Sequence, residues 1–407
     1  MTEIDDRKEL ARILLGAGMD EADLSPFQLD ADALPLEPGL LLDLNLSQQF
    51  PEGLAPVPQD PGHHPDANAP IPETADVLVI TWTVDELDAL ADVMTPGFSR
   101  RRWHYYRHRF DEVYEGQIRS GAPAKKSRRL GSWFKTMVGD LSVICFKSEL
   151  HLNQDGVYLN EDGTPASGKT GYATLPVKEL FKQLIAEVQP NLIITTGTSG
   201  ATYLEHDIGD VVVTRGAKFR LSDEFRNEPY NQAIYKSEWD VPTAYFDKAE
   251  ELMQEFADNL VEPGLGGPTK RYPLPELVNA APPNRPGIVL DGRDIPEFHP
   301  ILTTDFFEFG TSDNNLKEEG GAVEMGDAVL GMVCDEMDNP PEWLVVRNLS
   351  DPQINADLPI KRAARRGGTR YNMQTMWAVW YYETYGYWTS VNGALACWAV
   401  IAGLQQR

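Results

Sequence analysis

The 407-residue chain carries a formal charge of -26, which argues against general nucleic-acid binding, because a phosphate backbone is attracted by lysine and arginine. At 42% hydrophobic and 24% charged residues the composition is that of a globular chain, not a disordered one. Three widely spaced cysteines, Cys145, Cys334 and Cys397, with no CxxC pair and no leader pattern at the start, predict a reducing, cytoplasmic setting.

In chain order, residues 1–74 read as an acidic arm and linker. A short helical start gives way to proline, aspartate and leucine without a period, ending in the proline-rich PVPQDPGHHPDANAPIPE. A body over residues 75–407 opens with ADVLVITW (75–82), a continuous apolar run of the kind that forms a strand buried on both faces, followed by the helical VDELDALADVM. Residues 100–135 form a basic insertion, with 11 bases against 3 acids, and KRAARRGGTR (361–370) contains no acid at all; such runs are either solvated faces or salt-bridge partners for the acidic arm, or else the surroundings of an anionic ligand. LSVICF (141–146) reads as a strand, LPVKELFKQLIAEV as an amphipathic helix, NLIITTGTSG as strand and glycine turn, and IGDVVVTRGAKF (208–219) as one further strand. After a helix in TAYFDKAEELMQEFADNL and a Pro/Gly-rich insertion (262–287), GIVLDG, HPILTTDFF, MGDAVLGMVCDEM and WLVVRNLSD restore the alternation. The apolar WTSVNGALACWAVIAGL (388–404) is 17 residues long and holds Thr389, Ser390 and Asn392, so it reads as a buried closing helix and not as a membrane span. Strand and helix alternating in this way predict an α/β body with a mostly parallel central sheet.

In such folds ligands gather beyond the carboxyl ends of the strands. Four apolar runs end on polar residues: ITWTVDE, IITTGTSGA, ILTTDFF and VVRNLSD. GTPASGKT (163–170) fits a phosphate-binding loop letter for letter, but the polar NQDGVYLNEDG precedes it where a buried strand should, and Gly171 and Pro176 interrupt the helix it should open. The seven histidines show no ligand spacing with cysteine or acid, so no metal site is expected.

Read together, TTGTSGA followed by HDIGDVVV, then TTDFF, AVEMGDAVLGMVC and VVRNLSD, occur in the order and at about the intervals found in one family. Residues 75–404 resemble the purine nucleoside phosphorylase and methylthioadenosine/adenosylhomocysteine nucleosidase superfamily. Breaking a purine N-ribosidic bond passes through an oxocarbenium-like sugar, so the departing base must be protonated and a nucleophile must reach the anomeric carbon. The resemblance implies Asp351 as the general acid at the purine N7, oriented by Ser350, and Glu86, in TWTVDELDAL, as the base that activates water. Asp351 can serve near neutrality only if burial raises its pKa. The resemblance further implies that Thr198, Ser199 and Gly200 lie along the ribose and the nucleophile, that Phe307 stacks on the purine, that Met325 packs beneath the sugar, and that Arg347 sits near the pocket with a carboxylate partner. Each has a plainer structural role open to it: Asp351 as a turn cap before Pro352, Asp85 and Glu86 as helix N-terminal acids, Thr198–Gly200 as a tight turn and Phe307 as core.

The chain departs from the pattern at one place: the family's ribose-gripping glutamate after the methionine is Gly326 here, with Glu324 or Asp327 as substitutes. The phosphorylase branch holds phosphate with basic residues where this chain reads TWT and ITT, which favours hydrolysis. The resemblance therefore implies a phosphorylase-type three-layer α/β/α body with a mostly parallel mixed sheet, and an N-glycosyl hydrolase acting on an adenine nucleoside or nucleotide, including a triphosphate as in bacterial antiviral defence. Its alternatives are a methylthioadenosine/adenosylhomocysteine nucleosidase or a phosphorylase, and a non-catalytic nucleotide sensor. It implies a homo-oligomer with a small-molecule purine ligand, and no cofactor, membrane or nucleic-acid partner.

Overall fold

The structure, a computed structural model, describes residues 49–152, 156–160, 162–164, 166–167, 171–258, 285–295, 298–311, 314–353 and 369–406. The strands are β1 (Pro56–Pro58), β2 (Val77–Thr81), β3 (His104–Tyr106), β4 (Gly131–Val138), β5 (Leu141–Ser148), the short pair β6 (Tyr158–Leu159) and β7 (Tyr172–Ala173), β8 (Leu192–Ala201), β9 (Val211–Thr214), β10 (Gly216–Arg220), β11 (Ile234–Lys236), β12 (Ile288–Leu290), β13 (Ile301–Thr304), β14 (Ala322–Glu324) and β15 (Glu342–Asp351). The helices are α1 (Val84–Met94), α2 (Pro123–Ser127), α3 (Pro176–Val188), α4 (Phe246–Asp258), α5 (Asp327–Asp335) and α6 (Thr369–Leu404).

Among the described residues, all strands except the β6–β7 pair join one mixed sheet, whose main path runs β1-β4-β5-β2-β8-β14-β13-β10-β11. Residue alternation along its central strands sorts side chains into two cores, as a period of two requires. Val77, Val79, Leu192, Ile194, Leu344 and Val346 meet α1, α4 and α6 on one face. Leu78, Ile80, Ile193, Trp343 and Val345 meet α3 and α5 on the other. The result is the expected three-layer α/β/α body.

Three parallel strands, β2, β8 and β15, bring their carboxyl ends to one edge: β2 pairs β8 from Val77↔Leu192, and β15 pairs β8 from Glu342↔Leu192. β8 is long enough to bend, and its last residues leave β2 and pair antiparallel with β14 at Gly200↔Val323. The run 208–219 is not one strand. It breaks at Arg215 into β9, which pairs β15 and β12, and β10, which pairs β13 and β11. A single straight strand could not follow both partners, so the break lets the sheet turn a corner.

Within the region 100–135, β3 and the start of β4 extend the sheet through the antiparallel β4–β5 pair. Its cations are largely engaged by acids: Arg100 with Asp88 at 2.9 Å, Arg102 with Asp60 at 3.2 Å, Arg107 with Asp111 at 3.4 Å, Arg119 with Glu224, Arg128 with Asp111, Arg129 with Glu149 and Lys135 with Glu73. Of the two readings of that charge, salt-bridge partnership is therefore the one observed in this stretch; residues 361–368 of the second basic run lie outside the described residues.

Within the proline-rich stretch, β1 pairs the edge of β4, Phe50 enters the core 4.5 Å from the Trp398 ring, and the Trp398 indole N–H donates to the Leu54 carbonyl at 2.8 Å. Residues 1–48 of the arm, and most of the 262–287 insertion, lie outside the described residues. The described part of GTPASGKT lies between β6 and β7, a two-stranded pair, which is not the strand-to-helix setting of a phosphate-binding loop; Lys169 lies outside the described residues. No described helix is long and apolar enough to cross a membrane.

Candidate functional site: two carboxyls packed against one strand

Glu86 owes its position to a helix start. Thr83 caps α1, accepting from the Glu86 amide at 3.3 Å, while the Glu86 side chain turns back to accept from the Thr83 amide at 2.8 Å, a reciprocal capping box. The same carboxylate takes four further donors from outside the helix. Its Oε2 also accepts from Trp82 N at 2.9 Å and Thr81 Oγ1 at 2.8 Å, and its Oε1 accepts from Thr198 N and Oγ1, both at 2.8 Å. The approach to β8 depends on Gly197, where a Cβ would sit 2.6 Å from both Glu86 Oε1 and Arg347 Nη1. Burial works to raise the Glu86 pKa, but the Arg347 charge and the backbone N–H donors outweigh it and hold the carboxyl below its ordinary value. Glu86 is therefore a buried carboxylate.

Asp351 ends β15 and has a different environment. The pairing of β15 with β8 slips between Leu349 and Asp351, so one extra residue, Ser350, bulges and the next side chain is re-aimed at Gly200. A Cβ on Gly200 would lie 2.7 Å from Asp351 Oδ2, so a glycine is required there. Ser350 Oγ donates to Asp351 Oδ1 at 2.9 Å and lies 3.3 Å from the Ser199 carbonyl. Burial is the dominant influence and pushes Asp351 up to about 7, with the Ser350 hydrogen bond opposing. Glu86 thus packs against Gly197 and Asp351 against Gly200 of β8, glycines whose Cα atoms are no more than about 11 Å apart even in a fully extended chain. Thr198, half-buried, lies between them.

A third group closes the site. Arg347, opposite Gly197 on β15, donates from Nε and Nη2 to Asp327 at 2.7 and 2.5 Å, from Nη2 to Glu324 at 3.2 Å, and from Nη1 to the Thr198 carbonyl at 3.4 Å. Asp327 starts α5, and its amide donates to Glu324 Oε1 at 2.9 Å; Thr303 Oγ1 donates to the same oxygen. Burial and the Asp327 charge push Glu324 above its ordinary range, with Arg347 opposing. Glu324 and Asp327, the two candidates for the missing sugar-gripping carboxylate, are therefore both engaged by Arg347. Glu324 Oε2 lies 3.7 Å from the point a Cβ at Gly326 would occupy. Met325 is half-buried just beyond β14; Phe307, also half-buried, packs against the α6-side core with its ring 6.3 Å from Phe309.

Two groups near the site were missed in the sequence. Trp82 lies between the two threonines that hold Glu86, with the Arg347 guanidinium 4.8 Å from its ring centroid. At the end of β5, Lys147 faces Thr81 across the pairing, and Glu149, flanked by Lys147 and Arg129, is held down to about 2: burial opposes, and the two cations prevail. His151, pushed down to about 4 chiefly by burial, feels Lys147, Glu86 and Arg347. The apolar strand pattern of FKSELHL marked none of them, since a polar residue after a strand is the rule. Among the described residues there is no group of three or more metal-ligating side chains.

Compared with known proteins, the chain matches no protein-family model and no curated protein. Among solved structures it is similar to the 5'-methylthioadenosine/S-adenosylhomocysteine nucleosidase of Neisseria meningitidis in complex with methylthio-immucillin-A, at 12% identity and a TM-score of 0.42 over 80% of this chain and 99% of that one. It is similar to a putative nucleosidase of the same kind from Borrelia burgdorferi bound to adenine, at 15% identity and 0.40 over 80% and 98%. A futalosine hydrolase mutant of Helicobacter pylori gives 12% and 0.40 over 82% and 100%. The chain is thus similar to these nucleosidases over about four-fifths of its length.

Proposed function

We propose that the protein is a purine nucleosidase that hydrolyses the N-glycosidic bond of an adenine nucleoside or nucleotide. The observation that carries the reading is a pair of buried carboxyls packed against β8 and pushed in opposite directions, Glu86 towards ionisation and Asp351 towards protonation at neutral pH, the division of labour that general base and general acid need. In the proposed reaction Asp351 gives its proton to N7 as the C1'–N9 bond breaks and its electron pair passes to the purine. Water adds to C1', and its proton passes to Glu86, leaving free base and a sugar hydroxylated at C1'. The five donors on Glu86 fill the roughly four lone-pair sites of a carboxylate. The water therefore reaches it through Thr198 Oγ1, which accepts from water while donating to Oε1. Arg347 fixes the Thr198 carbonyl from behind.

A phosphorylated substrate would run towards the end of β5, the strand next to β2 on the side away from Asp351, where Lys147 and Arg129 are both paired with Glu149 and would have to exchange that carboxylate for the phosphate. That order matches base, sugar and phosphate laid across successive strand ends, and it supports a nucleotide, as a defence enzyme consuming ATP would need. Incubation with ATP, AMP, adenosine and methylthioadenosine, with chromatography for free adenine, tests the reading. Release from the phosphorylated substrates supports the nucleotide form, and release from methylthioadenosine alone moves the substrate to the thioethers. Tight binding without release from any of the four would make the protein a nucleotide sensor, the outcome that Gly326 favours.

A further inference from the structure

We propose that Trp82 is a substrate-binding residue whose indole N–H donates a hydrogen bond to a ribose hydroxyl oxygen; the identity of that oxygen as a sugar's rests on the nucleosidase reading above. The indole is only 5% exposed, and its Nε1 has no hydrogen-bond partner among the described residues. A buried donor without an acceptor is costly and rare in folded proteins, so it marks a place where a partner arrives.

The ring cannot easily turn away to find one. Its backbone amide is bound to Glu86 at 2.9 Å, and its face lies against the Arg347 guanidinium, itself clamped by Asp327 and Glu324. The edge that carries Nε1 faces Gly326, where a Cβ would lie 3.5 Å from Trp82 Cζ2 and 3.8 Å from Cε2. Neither the backbone nor the room for a Cβ demands glycine there: φ is -168°, extended, and the contacts are ordinary. What glycine leaves open is the space beyond a Cβ, next to an unpaired donor. Because Trp82 lies on the loop that anchors Glu86, a ligand atom in that space belongs to the part of the substrate nearest the attacking water, which is the sugar and not the base at Asp351. A donor at this point also inverts the recognition that a carboxylate would give: it takes a lone pair from the hydroxyl and does not require a free diol.

The test uses the full chain with Asp351→Asn, so that ligands survive, and isotope-labelled indoles, the Trp82 resonance being assigned by its loss in Trp82→Phe. Adenosine, 2'-deoxyadenosine and 3'-deoxyadenosine are titrated and their Kd values measured in both backgrounds. Adenosine is expected to shift the Trp82 N–H resonance, and Trp82→Phe to weaken adenosine about three- to tenfold, the scale of one neutral hydrogen bond. The deoxy compound lacking the partner oxygen should bind both backgrounds equally. Uniform weakening of all three ligands, an unmoved resonance, or no binding of any ligand overturns the proposal. A thermal melt separates these from unfolding, since phenylalanine keeps a ring beneath Arg347. Adenine release by the unmodified enzyme is read separately: its absence alongside the expected coupling would sink the nucleosidase reading and keep the donor.

Discussion

Glu86 and Asp351 are each 4% exposed and pack on the same strand, yet their protonation is driven in opposite directions. Glu86 is met by five donors and by the charge of Arg347, whereas a single serine hydroxyl donates to Asp351. Burial alone therefore does not decide whether a carboxyl is charged; the number of donors that turn towards it does. The donors on Glu86 come from the helix cap at Thr83, from Thr81 and Trp82 just before it and from Thr198 on β8, whereas Asp351 stands at a strand tip where its neighbour Ser350 is the donor that reaches it.

The largest effect expected from breaking this contrast is at the strand tip. Asp351→Asn cannot give up a proton, and adenine release should fall roughly 100- to 10,000-fold, the range of general acid catalysis. The melting temperature should hardly move, because Asp351 is held by one hydrogen bond; unchanged turnover would remove it from the mechanism. Glu86→Gln should cost roughly 100-fold in rate and, unlike the aspartate variant, also about 1 to 3 kcal/mol of stability in denaturant titration, since the amide NH2 faces donors and leaves buried N–H groups unpaired. Equal stability losses for the two variants would erase the contrast.

Gly200→Ala should lower kcat roughly ten- to a hundredfold with little change in KM, because its Cβ would displace the Asp351 carboxyl. The pH profile sharpens the same point. Asp351 must be protonated to act, so kcat/KM should fall about tenfold per pH unit above about 7, and no acid limb should appear until below the ordinary carboxylate range, where Glu86 takes up its proton. Stability follows the same signs: ionising Asp351 as pH climbs towards 7 costs stability, while the gain from ionised Glu86 is lost only as pH falls below its unfolded value. The smallest effect is expected at Gly326→Ala, within about 0.5 kcal/mol in stability, because the added methyl makes only ordinary contacts.

Much of the frame was legible in the sequence. The apolar runs before Thr81, Ala201, Thr304 and Asp351 became β2, β8, β13 and β15, because a strand buried on both faces must be apolar throughout. IGDVVVTRGAKF misled, since periodicity does not register that a strand changes partners at Arg215. The basic stretch 100–135 stayed open between two readings for a related reason: charge counts show cations but not the acids that reach them from residues 60, 73, 88, 149 and 224.

By itself the sequence determined which strands are buried, where they end and which carboxyls stand at their tips, because these follow from local apolarity and from where it stops. Only the tertiary structure decided what state those carboxyls are in and what surrounds them. The five donors of Glu86, the bulge that turns Asp351 onto Gly200, the commitment of Glu324 and Asp327 to Arg347 and the unpaired indole of Trp82 all arise between residues far apart in the chain, and electrostatics and hydrogen bonding depend on distance in space.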